Sequence, residues 1–184
     1  MLADNTPTAA QKKPPAKKKK KSGLMLDIMQ LVLKIVLIVG CIFAMFTFVY
    51  GIARVPDISM SPSIKDGDLV MYYRLDKMFN IGDVTVVQYQ DKTIPGRVVA
   101  MAGDTVDITA DGLVVNGAVQ LSQDIFYPTT QYAQGVSFPL TVGDGQVFLL
   151  GDNRTRATDS RVYGCVDIAD TQGKVIAVIR TRGI

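Results

Sequence analysis

From Ile35 to Ala53 the chain reads IVLIVGCIFAMFTFVYGIA, 19 residues without a charge. As a helix this run is roughly 28 Å long, close to the hydrocarbon thickness of a bilayer. Leu24 to Leu33 extend it toward the N-terminus, with Lys34 able to snorkel to the interface. It is apolar on every face and follows a lysine run, which argues against a buried core helix. A cleavable secretory signal needs a shorter apolar stretch and a small-residue cleavage site, and GIARVPDIS is a poor one. IVGC faintly resembles a lipoprotein site, but Cys41 is followed by IFAMFTFVYGI, still fully apolar. The expectation is a permanent transmembrane helix over 24–54.

Charge sets the expected orientation. Residues 1–34 hold eight Lys and two Asp, whereas residues 35–184 hold 12 basic and 15 acidic residues. The lysines place the N-terminus in the cytoplasm and residues 55–184 outside, in a single-pass cell-membrane protein. Residues 1–23 are Lys/Pro/Ala-rich and are expected to be a disordered cytoplasmic tail. The body is mildly acidic and has no second basic patch, so no nucleic-acid partner is expected; the lipid bilayer is one.

Residues 55–184 can bury one modest core. LVMYY, VTVVQY, RVVAMA, TVDI, LVVNG, VFLL and KVIAVIR are short runs rich in Val, Ile and Tyr, separated by KDGD, ADG, VGDG and GDN. TVDITADGLVVNG reads as a hairpin closed at Asp111–Gly112. The class is all-β, attached to one N-terminal transmembrane helix.

The chain has no His, and all 17 acidic residues are Asp. A Ser-His-Asp triad and an HExxH zinc site are excluded, and any base must be Lys, Asp, Cys or Tyr. There is no phosphate loop and no metal-ligand spacing, so neither cofactor nor metal is expected. Cys41 and Cys165 form no disulfide framework.

Four segments recur in a telling order: SMSPSI (59–64), KDGDLV (65–70), GRVVAMAGD (96–104) and GDNRTRATDSR (151–161). Ser before a Pro-containing turn is weak evidence alone; all four segments in sequence are specific. Over residues from about 30 to 180 the chain resembles the type I signal peptidases, membrane-anchored serine proteases that remove leader peptides. The short chain with one anchor is similar to their Gram-positive branch. The resemblance implies a coiled antiparallel β-sheet domain against the outer leaflet, Ser59 as nucleophile position, and a structural charge network of Arg97, Asp152, Arg154, Asp159 and Arg161. Within that network Asp152 is expected to face Arg97, and Asp159 to pair with Arg161. Met60 and Pro62, beside the Ser, are implied to touch substrate. For Met60, as for Met71, Met78 and Phe79, core packing is the plainer reading.

Three positions depart from the family pattern. The family's base, a neutral Lys, stands where this chain has Gly96. The hydroxyl that orients that Lys is replaced by Ala157, and a residue lining the oxyanion hole by Asp57. Lys92, the nearest lysine, lies four residues upstream, roughly 13 Å along a strand, beyond the reach of its side chain. The resulting expectation is a signal-peptidase-like pseudoenzyme that holds an exported pre-protein. Relatives with substituted catalytic residues occur in Gram-positive pilus assembly, which makes a pilin and sortase machinery the implied partners. The alternatives are an active leader peptidase with Asp57 or Lys92 as surrogate base, and an anchored β-domain unconnected with peptides. Self-cleaving repressors share the fold but lack the anchor and the charged segment.

Overall fold

A computed structural model describes residues 23–121, 125 and 127–180; of the disordered tail expected over residues 1–23, all but Gly23, which opens the first helix, lies outside the described residues. The chain divides into two units, Met1–Cys41 and Ile42–Ile184. The first holds most of helix α1, Gly23–Ala44, with no buried residue. A π-helical turn, Met45–Val49, continues it, and the 27 residues Gly23–Val49 are long and apolar enough to cross a membrane.

The helix does not run to residue 54, as expected from the charge-free stretch. Tyr50–Arg54 is a strand, β1, paired with β2 (Leu69–Tyr73) in the register Tyr50↔Tyr73 to Arg54↔Leu69. The reason is tertiary. Apolar content alone does not separate helix from strand, and here LVMYY offers YGIAR a complementary edge. Tyr50 stacks on Tyr73 at 5.4 Å. Gly51 lets the Tyr72 ring lie directly on the β1 backbone, where any Cβ would collide with it.

The remaining strands are β3 (Val84–Tyr89), β4 (Lys92–Met101), β5 (Thr105–Thr109), β6 (Gly112–Val115), β7 (Ala118–Val119), β8 (Leu140–Thr141), β9 (Gln146–Leu150), β10 (Val166–Asp167) and β11 (Gly173–Ile179). They form a seven-stranded sheet ordered β1-β2-β11-β3-β4-β9-β10 and a four-stranded sheet ordered β7-β6-β5-β8. Every pairing is antiparallel. The β5–β6 hairpin closes one residue earlier than expected: Thr109 pairs with Gly112, so Ala110–Asp111 form the turn. Gly112, at φ +107°, is the first strand residue.

Strand β9 is buried on both faces, which is why VFLL is a continuous apolar run rather than an alternation. Phe148 and Leu150 pack with Val106, Ile108, Leu113 and Val142 of the small-sheet layer. Val147 and Leu149 pack on the opposite side with Phe79, Val87, Ile94 and Val98. A bulge between Val98 and Ala100 swaps the facing of β4 between these layers. Because strand alternation has period two, one extra residue moves Ala100 to the layer opposite Val98. A third layer, Val55, Met60, Ile64, Val70, Tyr72 and Val86, holds the loop after β1.

Candidate active-site region

The loop from Val55 to Asp68 is closed at its base by Val55 N–H to Asp68 O (2.9 Å) and Gly67 N–H to Val55 O (3.0 Å). Met60 is its anchor, fully buried among Val55, Ile64, Val70 and Val86. The expectation that Met60 touches a bound chain is therefore corrected: its thioether is spent on core packing, the plainer of the two readings. Pro62 is exposed on the same loop, after a cis peptide bond.

Ser59, beside that anchor, is 1% exposed. Its carbonyl accepts Asn153 N–H at 2.9 Å, which ties the loop to the charged segment. Its own N–H donates to Asp57 Oδ1 at 2.9 Å. Its Oγ is buried and makes no hydrogen bond among the described residues. A buried hydroxyl without a partner costs about 1–3 kcal/mol, and no lysine nitrogen is bonded to it.

Gly96 is buried on β4 opposite Thr85, on the side facing Leu149. A side chain there would begin 3.2 Å from Leu149 Cβ, close enough to need a small shift of that residue. Ala157 is buried, and a Cβ on Gly151 would strike Ala157 Cβ and lie 2.7 Å from Ser59 O. Ser59, Gly151 and Ala157 are thus in one tight contact. Lys92 is exposed at the outer end of β4, opposite Tyr89.

The charged segment 151–161 follows β9 and folds inward. Asp152, fully buried, takes two bonds from Arg97, at 2.7 Å from Nε and 2.6 Å from Nη2, while Arg97 Nη1 donates to Gly82 O. Asp159 and Arg161 form a second two-bonded pair at 2.8 Å, with Arg161 fully buried. Asp159 also accepts from Gly151 N–H and caps the one-turn helix α2 (Ser160–Tyr163) by accepting Arg161 N–H. Arg154 lies within the fields of Asp159, Asp152, Arg161 and Arg97 but forms no ion pair among the described residues; Nε donates to Gly151 O and Nη1 to Thr129 Oγ1.

Residues 129–132 complete this arrangement. Thr130 O accepts from Arg161, Tyr132 lies 4.5 Å beneath its guanidinium, and the Tyr132 hydroxyl donates to Ala157 O. No spacing rule links them to residues 151–161; the only signal is the placing of Thr-Thr and Tyr after Pro128.

A shallow groove of about 350 Å³ lies between Ile52, Ala53, Arg54 and Pro56 on one side and Asp91, Lys92 and Thr93 on the other, with Tyr72 at its base. Its walls carry unused backbone. β1 is an edge strand, and residues 92–96 of β4 pair with β3 alone, since β9 begins pairing at Arg97. The sequence reading missed this groove because it took Tyr50–Arg54 for helix.

Residues 28–180 match the family described as "Signal peptidase, peptidase S26". The chain is 30% identical over 115 residues to signal peptidase I of Bacillus licheniformis, covering 56% of this chain and 61% of that protein. To probable signal peptidase I-1 of Synechocystis sp. it is 32% identical over 124 residues, covering 60% and 61%. Signal peptidase I U of Bacillus subtilis is 27% identical over 140 residues, covering 71% and 75%. A crystal structure of a signal peptidase I from Enterococcus faecalis aligns with a TM-score of 0.45 at 25% identity, covering 54% of this chain and 97% of that one. The chain thus spans 61% of the length of each of the first two relatives.

Proposed function

This chain belongs to the signal peptidase family, peptidase S26, and we propose that it is a cleavage-deficient member that holds an exported polypeptide without cutting it. The observation that carries the reading is the bond from Ser59 N–H to Asp57 Oδ1. That N–H is the donor beside the nucleophile position, and a carboxylate already occupies it. Losing one oxyanion donor costs roughly 2.7–4 kcal/mol of barrier, and a negative charge in its place adds repulsion. A missing general base costs roughly a further 10²- to 10⁴-fold. Ser59 Oγ has no hydrogen-bond partner to take its proton, and Gly96 has no side chain to do so.

Polypeptide holding is supported by the groove between β1 and the start of β4. An extended peptide placed there meets backbone donors and acceptors from two strands, and pairing of this kind supplies affinity with little demand on sequence. The proposed client is an exported pre-protein, a pilin being the example the resemblance offers, with sortase machinery as a later partner. The proposed setting is the cell membrane, with the N-terminus cytoplasmic and the β-domain outside. Protease added to intact cells stripped of their wall is expected to remove the β-domain and leave the tail.

A second reading, an active peptidase with Ser59 as nucleophile and Lys92 or Asp57 as surrogate base, is favoured by one observation: Lys92 lines the same groove as Pro56. The two readings part on one experiment. Full-length protein in detergent is mixed with a signal-bearing precursor, and both trimmed product and precursor binding are measured. Binding without product is expected, unchanged in Ser59→Ala. The triple change Gly96→Lys, Ala157→Ser and Asp57→Ser is expected to gain cleavage. Product from the unaltered protein that vanishes in Ser59→Ala would establish the active enzyme instead. Absence of both product and binding would leave only the β-scaffold.

A further inference from the structure

A second, larger cavity of about 600 Å³, not lined by Ser59, lies between the β4 bulge, the β5–β6 hairpin and the stretch 127–130. Its volume falls in the range of small-ligand and peptide-side-chain sites. Val98, Val99, Leu113 and Tyr127 supply apolar wall, and Thr129 and Arg154 supply donors. It shares no lining residue with the groove beside Lys92.

Arg154 is the unusual component. It is 5% exposed, yet no carboxylate is in ion-pair contact with it. Its Nε and Nη1 are bonded to Gly151 O and Thr129 Oγ1, and Nη2 has no hydrogen bond among the described residues. Two other arginines of the charge network, Arg97 on β4 and Arg161, each hold a carboxylate with two bonds. Burial pulls the Arg154 guanidinium down to about 10, against the opposing pull of Asp159 and Asp152, so it keeps its charge at neutral pH. Among the described residues, the carboxylate that lines the cavity, Asp111, is exposed on the hairpin turn and is screened by water. Nη2 is not sealed from solvent, so the guanidinium presents a charged spare donor to the half-apolar cavity, where an anion can take it in a charge-assisted bond.

We propose that this cavity is a second binding site, taking an apolar peptide that bears a carboxylate, with the carboxylate bonded to Arg154 and the apolar flanks against Val99, Leu113 and Tyr127. The carboxylate comes from an acidic side chain or from a free C-terminus. This inference is independent of the reading at Ser59, and failure of either leaves the other standing.

The test is fluorescence anisotropy on the full chain in detergent, with three short labelled peptides of Leu, Val and Ala. One has a central Asp and blocked ends, one has Asn in its place, and one is neutral with a free C-terminus. Saturable binding of at least one carboxylate probe is expected, at least about tenfold tighter than the Asn probe, the weight of one charge-assisted bond. Comparing the two carboxylate probes identifies the source. Arg154→Gln is expected to erase the difference between Asp and Asn. Because that change touches a buried network, Thr130→Trp serves as the second variant: Thr130 lines the cavity and its side chain is exposed. It is expected to weaken binding about tenfold by filling the space, with an unaltered melting temperature. Equal affinity for the Asp and Asn probes, undiminished binding by Thr130→Trp, or no saturable binding would overturn the proposal.

Discussion

Asp57, Asp152 and Asp159 put the same carboxylate to two different uses. Asp57 takes the Ser59 N–H, whereas the other two each hold an arginine. The two ion pairs differ in burial: the Arg97 side chain is 27% exposed and that of Arg161 is 0% exposed. Removing a carboxylate strands its arginine, and a stranded charge costs more where water cannot reach it. Asp159→Asn is therefore expected to destabilise by about 3–5 kcal/mol. Asp152→Asn, which leaves Arg97 in contact with water and with Gly82 O, is expected to cost about 1.5–3 kcal/mol. Urea titration followed by circular dichroism checks the order, and equal losses would contradict the argument.

Among the elements, the single turn α2 shows how much tertiary support a short helix needs. Four residues cannot sustain a helix alone; Asp159 caps its start, and Gly164, at φ +82°, ends it. Its last residue, Tyr163, stacks on Tyr89 at 4.9 Å. Burial, with the charge of Asp159 and the neighbouring Tyr89, raises the Tyr163 phenol well above its ordinary value of 10.0, against the opposing bond to Ser160. With the folded-state value raised, the contribution to stability is complete below pH 10 and declines above it, as the unfolded chain loses the phenolic proton first. Melting temperature is expected to fall as pH rises from about 10, and Tyr163→Phe is expected to remove that part of the decline. Tyrosinate absorbance through the same range identifies the late-titrating phenol.

For the molecule as a whole, two strands far apart in sequence bring unused backbone to one groove. β1 lies at the sheet edge, and β4 outlasts its β9 partner by residues 92–96. If a client chain pairs with them, backbone hydrogen bonds carry its affinity. N-methylating alternate amides of a bound peptide is then expected to weaken binding by about 5- to 10-fold per lost bond, while changing the exposed side chains has little effect. Isothermal titration with the two peptide series measures the contrast, and insensitivity to N-methylation would exclude strand pairing.

Much of this was readable from residues alone, because those inferences depend on local physics. A charge-free run of helical length, alternating Val/Ile/Tyr segments and Gly-Asp turns report burial and backbone preference without reference to distant partners. The four ordered segments, with the Gly at 96 opening one and the Asp at 57 just before another, were visible in the same way. Three features required the folded chain. Tyr50–Arg54 became strand because β2 offered it an edge, which apolar composition cannot announce. Met60 went to the core, and Arg154 was left without a carboxylate, because Thr129 and Gly151 reached it first. Composition records which groups a chain carries; only long-range packing decides which of them find one another.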